Sequence, residues 1–140
     1  MMLSIKNLSY QFSDSTFGEI HIHLLDVIEH LPDTIAVMEE IYRICRPNAK
    51  VFIRVVNWNH RYTAMDPTHV KAFTKNSFDY FGKRGGRSYY THARFDVEHI
   101  DYIFDKKARR LFKSERIMRF LSDYLCNILQ GMIFELRVVK

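Results

Sequence analysis

Glu29 and His30 are neighbours in the sequence, and their side chains are suited to acid–base chemistry. Histidine titrates near neutral pH, and an adjacent carboxylate can orient its ring, so the pair could move a proton at a bound substrate. The alternative is a turn whose side chains bond the backbone and cap the following helix. We favour this alternative, so the catalytic residue stays unknown, with Glu29 and His30 as the candidates.

A second polar group lies around Pro67 and consists of Tyr62, Asp66 and His69. These side chains could bind a polar substrate, with the tyrosine ring stacking on a planar group or a sugar. Alternatively, Asp66 supports the turn at Pro67, and His69 is exposed. Both interpretations stay open for Asp66 and His69, whereas packing beneath the loop is favoured for Tyr62.

The histidines at positions 21 and 23 are separated by one residue, as on one face of a strand. They could hold a metal ion together with His30 or Asp66. Histidines on a sheet face are more often hydrogen-bonded or half-exposed, and the two cysteines form no CxxC pair. The sequence therefore predicts no metal site.

Two strands and a helix must position these residues. Residues 17–25 alternate like a strand, and Asp33 can cap a helix that ends at Pro47-Asn48. Lys50–Val56 is dense in β-branched residues and is typical of a parallel strand buried on both faces. Both polar groups follow the carboxyl ends of these neighbouring strands, so we expect them to line one cleft.

The second half of the chain predicts one helical turn at Ser77–Phe81, a long strand over 89–104 and a final strand over 133–139. Between the last two strands, residues 107–129 have the period of a long amphipathic helix that Gly131 ends. The apolar stripe of this helix would be Leu111, Met118, Leu121, Tyr124, Leu125, Ile128 and Leu129.

The composition suits one compact domain over residues 1–140 and excludes a disordered chain, because 47% of the residues are hydrophobic. No run of about 18 apolar residues predicts a membrane span, and the N-terminus does not resemble a signal peptide. Cys45 and Cys126 both fall on predicted apolar helix faces, as buried thiols would. A reducing cytoplasmic location is therefore expected.

The net charge of +5 is concentrated in a basic segment at residues 106–119. Such a segment could bind nucleic acid or an anionic membrane surface. It is more often the solvated face of a helix, and no nucleic-acid-binding motif surrounds it. Nucleic acid is therefore not an expected partner.

Two motifs, VIEHLPD at residues 27–33 and IYRICRPN at residues 41–48, are followed by Asp66-Pro67-Thr68-His69. In order and spacing they resemble the second half of a class I S-adenosylmethionine-dependent methyltransferase of type 11. The best match covers residues 15–81, and residues 1–14 would form an N-terminal extension. Each motif is unspecific alone, and their order makes the set informative.

The resemblance implies an α/β fold, a partial Rossmann-like mixed sheet with flanking helices, whose last strand is antiparallel and inserted beside its neighbour. It implies S-adenosylmethionine as cofactor. Asp26 would then mark the strand end that borders the cofactor, or it is a solvated loop carboxylate, and both interpretations stay open. It also implies that Tyr62, Asp66 and His69 belong to the substrate loop. Methyl transfer depends mainly on positioning, which favours the turn interpretation of Glu29 and His30.

The glycine-rich turn of that family is missing, since the five glycines make no GxGxxG. We therefore expect weak or no cofactor binding by the isolated chain, and no activity. Three hypotheses follow: a truncated methyltransferase-like protein, a non-catalytic interaction module, or half of an enzyme that a second chain completes.

The absent neighbour of the strand at residues 20–25 would leave its N–H and C=O groups open to another chain. Residues 1–14 could fold back over this edge, because Leu3, Ile5, Leu8 and Tyr10 alternate with polar residues. Otherwise two copies should pair there about a two-fold axis. The expected partner is a second copy, or a chain that supplies the missing N-terminal half.

Overall fold

A computed structural model describes residues 8–11, 21–82 and 88–140 of the chain. The strands are β1 (Leu8–Gln11), β2 (His21–Leu25), β3 (Lys50–Val56), β4 (Phe95–Phe104) and β5 (Leu129–Val138). The helices are α1 (Thr34–Ile44), α2 (Arg61–Met65), α3 (Lys106–Leu111) and α4 (Glu115–Leu121). Single 3₁₀ turns occupy Ile28–His30, Ser77–Phe81 and Ser88–Tyr90.

The five strands form one mixed sheet in the order β1-β2-β3-β5-β4. β2 and β3 are parallel, whereas β5 runs antiparallel to both β3 and β4 and lies between them. This arrangement confirms the expected α/β, partial Rossmann-like sheet with an inserted antiparallel last strand. Because β3 and β4 both oppose β5, they point the same way, and the carboxyl ends of β2, β3 and β4 meet at one end of the sheet.

The hydrophobic core lies on one face of this sheet. Along β3, Val51, Ile53 and Val55 are buried, and the residues between them are only half-buried. The expectation of a strand buried on both faces was therefore wrong. The second face carries charged pairs such as Lys50 with Glu135, whose Nζ and Oε1 are 2.8 Å apart. Paired charges let a sheet face remain solvated, so burial on both sides is not required.

Helix α1 begins and ends as the sequence predicts. The Asp33 carboxylate accepts a hydrogen bond of 2.9 Å from the Ala36 N–H, which satisfies one of the free donors of the first turn. Met38 and Ile41 turn into the core. Asn48 then adopts a left-handed conformation with φ of 64°, which asparagine tolerates. The chain thereby turns directly from α1 into β3.

The predicted long helix over residues 107–129 was wrong. The segment contains the two short helices α3 and α4, and the chain has already entered β5 at Leu129. Asn127, with φ of 60°, makes the turn into this strand. Within the proposed stripe, Leu111 and Tyr124 are exposed. Of the two cysteines, Cys126 is also exposed, whereas Cys45 is buried as expected. Apolar residues of a turn and a strand had imitated helical spacing.

Gly131 also differs from its expected role as a helix stop, because it lies within β5 beside Val56. A Cβ at this position would lie 2.7 Å from the Val55 carbonyl oxygen. A side chain would therefore force two central strands apart. Here glycine permits close backbone approach rather than a turn.

Two further predicted elements are adjusted by the structure. The long strand over 89–104 begins only at Phe95, and the polar loop after β3 contains α2.

β1 folds back and pairs antiparallel with β2, from Leu8 opposite Leu24 to Gln11 opposite His21. This edge of β2 is thus occupied by the same chain. The predicted strand residues 17–20 lie outside the described residues.

Within the described ranges, every helix is too short or too polar to traverse a bilayer. This finding agrees with the absence of a long apolar run in the sequence.

Replacing Gly131 by alanine is expected to lower the free energy of unfolding by about 2 kcal/mol, the typical cost of an overpacked core. The midpoint of urea unfolding measures the loss. Gln130→Ala, at the preceding half-buried position, is the matched control and should change the midpoint less. Equal effects of the two substitutions would show that the approach to Val55 does not constrain position 131.

Candidate functional site

The polar residues singled out in the sequence gather at the carboxyl end of the sheet. Glu29 and His30 occupy the 3₁₀ turn after β2, and Asp66 and His69 lie in the loop after β3. The Glu29 carbonyl accepts hydrogen bonds from the N–H groups of Val70, at 2.9 Å, and Lys71, at 3.1 Å. These bonds fasten the second loop to the first turn. The rings of His30 and His69 consequently lie 4.6 Å apart.

His30 is held by Thr68 and, through it, by Asp66. The Thr68 hydroxyl donates to Asp66 Oδ1 at 2.6 Å, so its oxygen accepts from His30 Nδ1, which lies 2.9 Å away. Nδ1 is also 3.3 Å from the Thr68 carbonyl oxygen, which can only accept. His30 therefore carries a proton on Nδ1, and in the neutral ring the lone pair lies on Nε2. The hydrogen bond from the Thr68 hydroxyl, with that from its N–H, holds the pKa of Asp66 below its ordinary value.

His69 is fixed in the same tautomer. Its Nδ1 donates to the Thr63 carbonyl oxygen at 3.1 Å, which leaves Nε2 as the acceptor. The side chain is only 8% exposed, so the interpretation of His69 as an exposed loop residue does not hold. Together with Tyr62, Asp66 and Pro67, it lines a shallow surface pocket. The three residues assigned to the substrate loop thus share one pocket, and their role in binding stays a prediction.

Glu29 is the most unusual residue of the site. It is 2% exposed, and among the described residues neither carboxylate oxygen has a hydrogen-bond partner. Burial raises the pKa of this carboxyl. The favoured interpretation made Glu29 part of a capping turn, but Asp33 caps α1. The Glu29 side chain therefore does not cap α1, and its role in catalysis stays a prediction.

Asp26 lies at the end of β2, where the resemblance places a cofactor contact. Its φ of 54° ends the strand in a left-handed turn. Its carboxylate is partly exposed and lies 3.3 Å from the Arg54 guanidinium on β3. A ligand at this position would have to share Asp26 with Arg54.

A buried pair that the sequence did not reveal, His60 and Asp105, lies deeper at the same end of the sheet. His60 Nε2 donates to Asp105 Oδ2 at 3.4 Å, and its Nδ1 accepts from the Tyr62 N–H at 3.2 Å. Asp105 Oδ1 also caps α3 through the Lys107 N–H. The only sequence signal was an aspartate before a helical segment. The pair joins the loop after β3 to α3, and its burial indicates a structural role.

Burial lowers the pKa of His60, although the neighbouring Asp105 acts in the opposite direction. Burial acts to raise the pKa of Asp105, but hydrogen bonds from the Lys107 N–H and from His60 hold it below its ordinary value. Protonation of His60 would also remove the Nδ1 lone pair that accepts from Tyr62. The folded chain therefore favours a neutral imidazole and an ionised carboxylate.

Three side chains of the site could together hold a metal ion. Glu29, His30 and His69 each offer a ligand atom within 4.8 Å of the other two. The histidine pair considered in the sequence is not part of this cluster. His23 stacks on Phe52 at 4.8 Å between ring centroids, on the half-exposed face of β2 and β3. The side chain of His21 lies outside the described part of the chain.

No protein-family model matches the chain, and no curated protein matches it. A structural match is found to a SAM dependent methyltransferase from Archaeoglobus fulgidus, with a TM-score of 0.57 and 17% sequence identity. The match covers 84% of this chain and 58% of the other. The fold is methyltransferase-like. The chain spans less than two thirds of that protein, so activity and cofactor do not transfer with the fold.

The described residues do not fit a complete S-adenosylmethionine site. The carboxyl ends of parallel strands and the Asp26 carboxylate are present, as such a ligand requires. Among the described residues no glycine turn accompanies β2, because Gly131 packs against Val55 within β5 and antiparallel β1 occupies that edge of β2.

Acidification should destabilise the wild-type chain more than a His60→Asn variant. In the unfolded chain His60 binds a proton near its ordinary pKa of 6.5, whereas in the folded chain burial lowers this pKa. His60 thus contributes stability that is complete above this pH and is lost as the pH falls through it towards the lower folded pKa.

Urea unfolding at about pH 7.5 and about pH 5.5, on either side of the ordinary histidine pKa, measures this difference. The variant should be less stable at the higher pH, because a buried ring is lost, but should lose less on acidification. His99→Asn removes an exposed histidine and is the matched control. Parallel losses in His60→Asn and the wild type would contradict the prediction.

Proposed function

We propose that this chain forms the acceptor-facing wall of an S-adenosylmethionine-dependent methyltransferase, with an incomplete cofactor site of its own. The observation that carries the proposal is the sheet order β2-β3-β5-β4 with its inserted antiparallel strand, in a fold that matches a methyltransferase. The polar residues lie at the end of the sheet where ligands of such folds bind. The motifs at residues 27–33 and 41–48 agree with this assignment.

The chain's own residues are suited to seating an acceptor and holding its proton. The pocket beside Tyr62, Asp66 and His69 would hold a polar acceptor group. His30 presents an unprotonated Nε2, and Asp66 would stabilise the protonated ring through Thr68. Glu29, buried and without a hydrogen-bond partner among the described residues, would bind the acceptor as a carboxylate or a protonated acid.

A second chain, or a further segment of the same protein, would supply the remaining part of the fold. The coverage of only 58% of the matched methyltransferase favours this arrangement over a chain that is active alone. A second copy would not add a glycine turn, so a homodimer would bury surface without completing the site. Homodimerisation stays a prediction, tested by light scattering over a dilution series.

A reducing cytoplasmic location would suit the free, buried thiol of Cys45.

The isolated chain should bind S-adenosylmethionine with a Kd on the order of 1 mM or weaker, corresponding to about 4 kcal/mol or less. Isothermal titration calorimetry measures it. Any residual binding that uses the end of β2 should weaken in Asp26→Asn and not in Asp101→Asn, which removes an exposed carboxylate from β4. Micromolar binding with unit stoichiometry would overturn the incomplete-site assignment.

Co-expression with a chain that carries the glycine turn separates the remaining hypotheses. Gain of tight cofactor binding by the mixture supports the half-enzyme. If the two chains associate without binding the cofactor, the chain is instead a non-catalytic interaction module.

A further inference from the structure

We propose that Glu29, His30 and His69 form a binding site for a divalent transition-metal ion of the class of Zn²⁺, Co²⁺ or Mn²⁺. One ligand atom from each residue lies within 4.8 Å of the others. Metal bonds of about 2.1 Å place tetrahedral ligands roughly 3.4 Å apart, so small side-chain rotations would close the cluster around an ion. Two imidazoles and one carboxylate suit this class of metal.

The first argument is the state of Glu29. A buried carboxylate is normally hydrogen-bonded, because burying an unpaired charged or polar group is costly. Glu29 is 2% exposed, and no other described residue donates to either of its carboxylate oxygens. Its backbone carbonyl, by contrast, is satisfied twice, by the N–H groups of Val70 and Lys71. The main chain is therefore fixed, and no neighbouring donor among the described residues compensates the burial of the carboxylate.

The second argument is the orientation of the two imidazoles. Each histidine donates from Nδ1 to an oxygen, His30 to Thr68 and His69 to Thr63. Metal-bound histidines characteristically donate their second ring nitrogen to a carbonyl or carboxylate, which fixes the tautomer and raises the basicity of the metal-binding nitrogen. In its neutral form each ring thus carries its lone pair on Nε2, and that of His69 lies 3.9 Å from Asp66 Oδ2. Behind His30, the ionised Asp66 completes such a relay through the Thr68 hydroxyl.

The charges around the cluster suit a cation. Glu29 would supply one negative charge as a ligand. The Asp26 carboxylate interacts electrostatically with Glu29, and Asp66 Oδ2 lies 3.9 Å from His69 Nε2. Three protein ligands leave at least one coordination position for water or an oxygen of a bound molecule. The pocket with Tyr62 and Pro67 opens beside His69, one of the proposed ligands. The site needs no methyl transfer, so it stands independently of the proposed function.

The test uses the full chain, stripped with a chelator, dialysed and titrated with Co²⁺. The visible absorption of bound Co²⁺ reports an ordered site with nitrogen and oxygen ligands. We expect one Co²⁺ per chain, displacement by Zn²⁺, and a rise in the unfolding temperature with metal concentration. Glu29→Gln and His69→Gln should each weaken binding by at least tenfold, and Thr68→Val, which loosens His30, by about tenfold.

The matched control is His99→Gln, which removes an exposed histidine 3.0 Å from the Asp101 carboxylate on β4. It should bind Co²⁺ as the wild type does. Glu29→Gln also separates folding from binding, because a neutral amide costs less to bury than a carboxylate. This variant should match or exceed the wild type in metal-free stability while losing the metal-dependent rise.

Three results would overturn the proposal. The wild type would bind no Co²⁺, Zn²⁺ or Mn²⁺ at millimolar concentration. Alternatively, Glu29→Gln and His69→Gln would bind as tightly as the wild type, which would place the ion elsewhere. Finally, His99→Gln would weaken binding as much as His69→Gln, which would indicate adventitious surface histidines.

Discussion

The parallel pairing of β2 with β3 is the constraint on which the site depends. It puts the carboxyl ends of two strands side by side, so the turn after β2 and the loop after β3 begin as neighbours. The Glu29 carbonyl then joins them by accepting from Val70 and Lys71. A backbone contact of this kind fixes the loop whatever its side chains are. His69 can therefore lie beside His30 although 38 residues separate them.

The methyltransferase-like sheet has its core on one face. Buried residues of β2, β3 and β5 face α1 and the aromatic residues of the Ser77–Phe81 turn. The second face carries ionic pairs such as Lys50 with Glu135, and Arg54 with Asp26. Those pairs are compatible with water, and a ligand at Asp26 would have to share its carboxylate with Arg54. A fold can thus persist where the residues for its usual ligand are lacking.

Two chemical roles compete for the same three side chains. As an acid–base site, His30 acts through Nε2 with Asp66 and Thr68 behind it, and Glu29 is an unusual buried acid. As a metal site, both imidazoles and the carboxylate would bind the same ion. This ion would then be the partner of the buried Glu29 carboxylate oxygens. The second role accounts for more of the geometry, since the first assigns no function to the matched orientation of His69. In either case the pocket beside Tyr62 is where a polar molecule would enter.

The sequence by itself determined the features that depend on short-range interactions along the chain. The Asp33 cap, the apolar face of α1 and the left-handed Asn48 follow from local hydrogen bonding and periodicity, and the resemblance supplied the strand order. The sequence could not separate α3, α4 and the start of β5, because apolar residues of a turn fit a helical period. It also could not assign Gly131 to a strand. The requirement for glycine at position 131 depends on the neighbouring Val55 backbone. The cluster of Glu29, His30 and His69, and the burial of His60 with Asp105, were decided only by the tertiary structure. Strand pairing, rather than any local pattern, brings residues so distant in sequence to one end of the sheet.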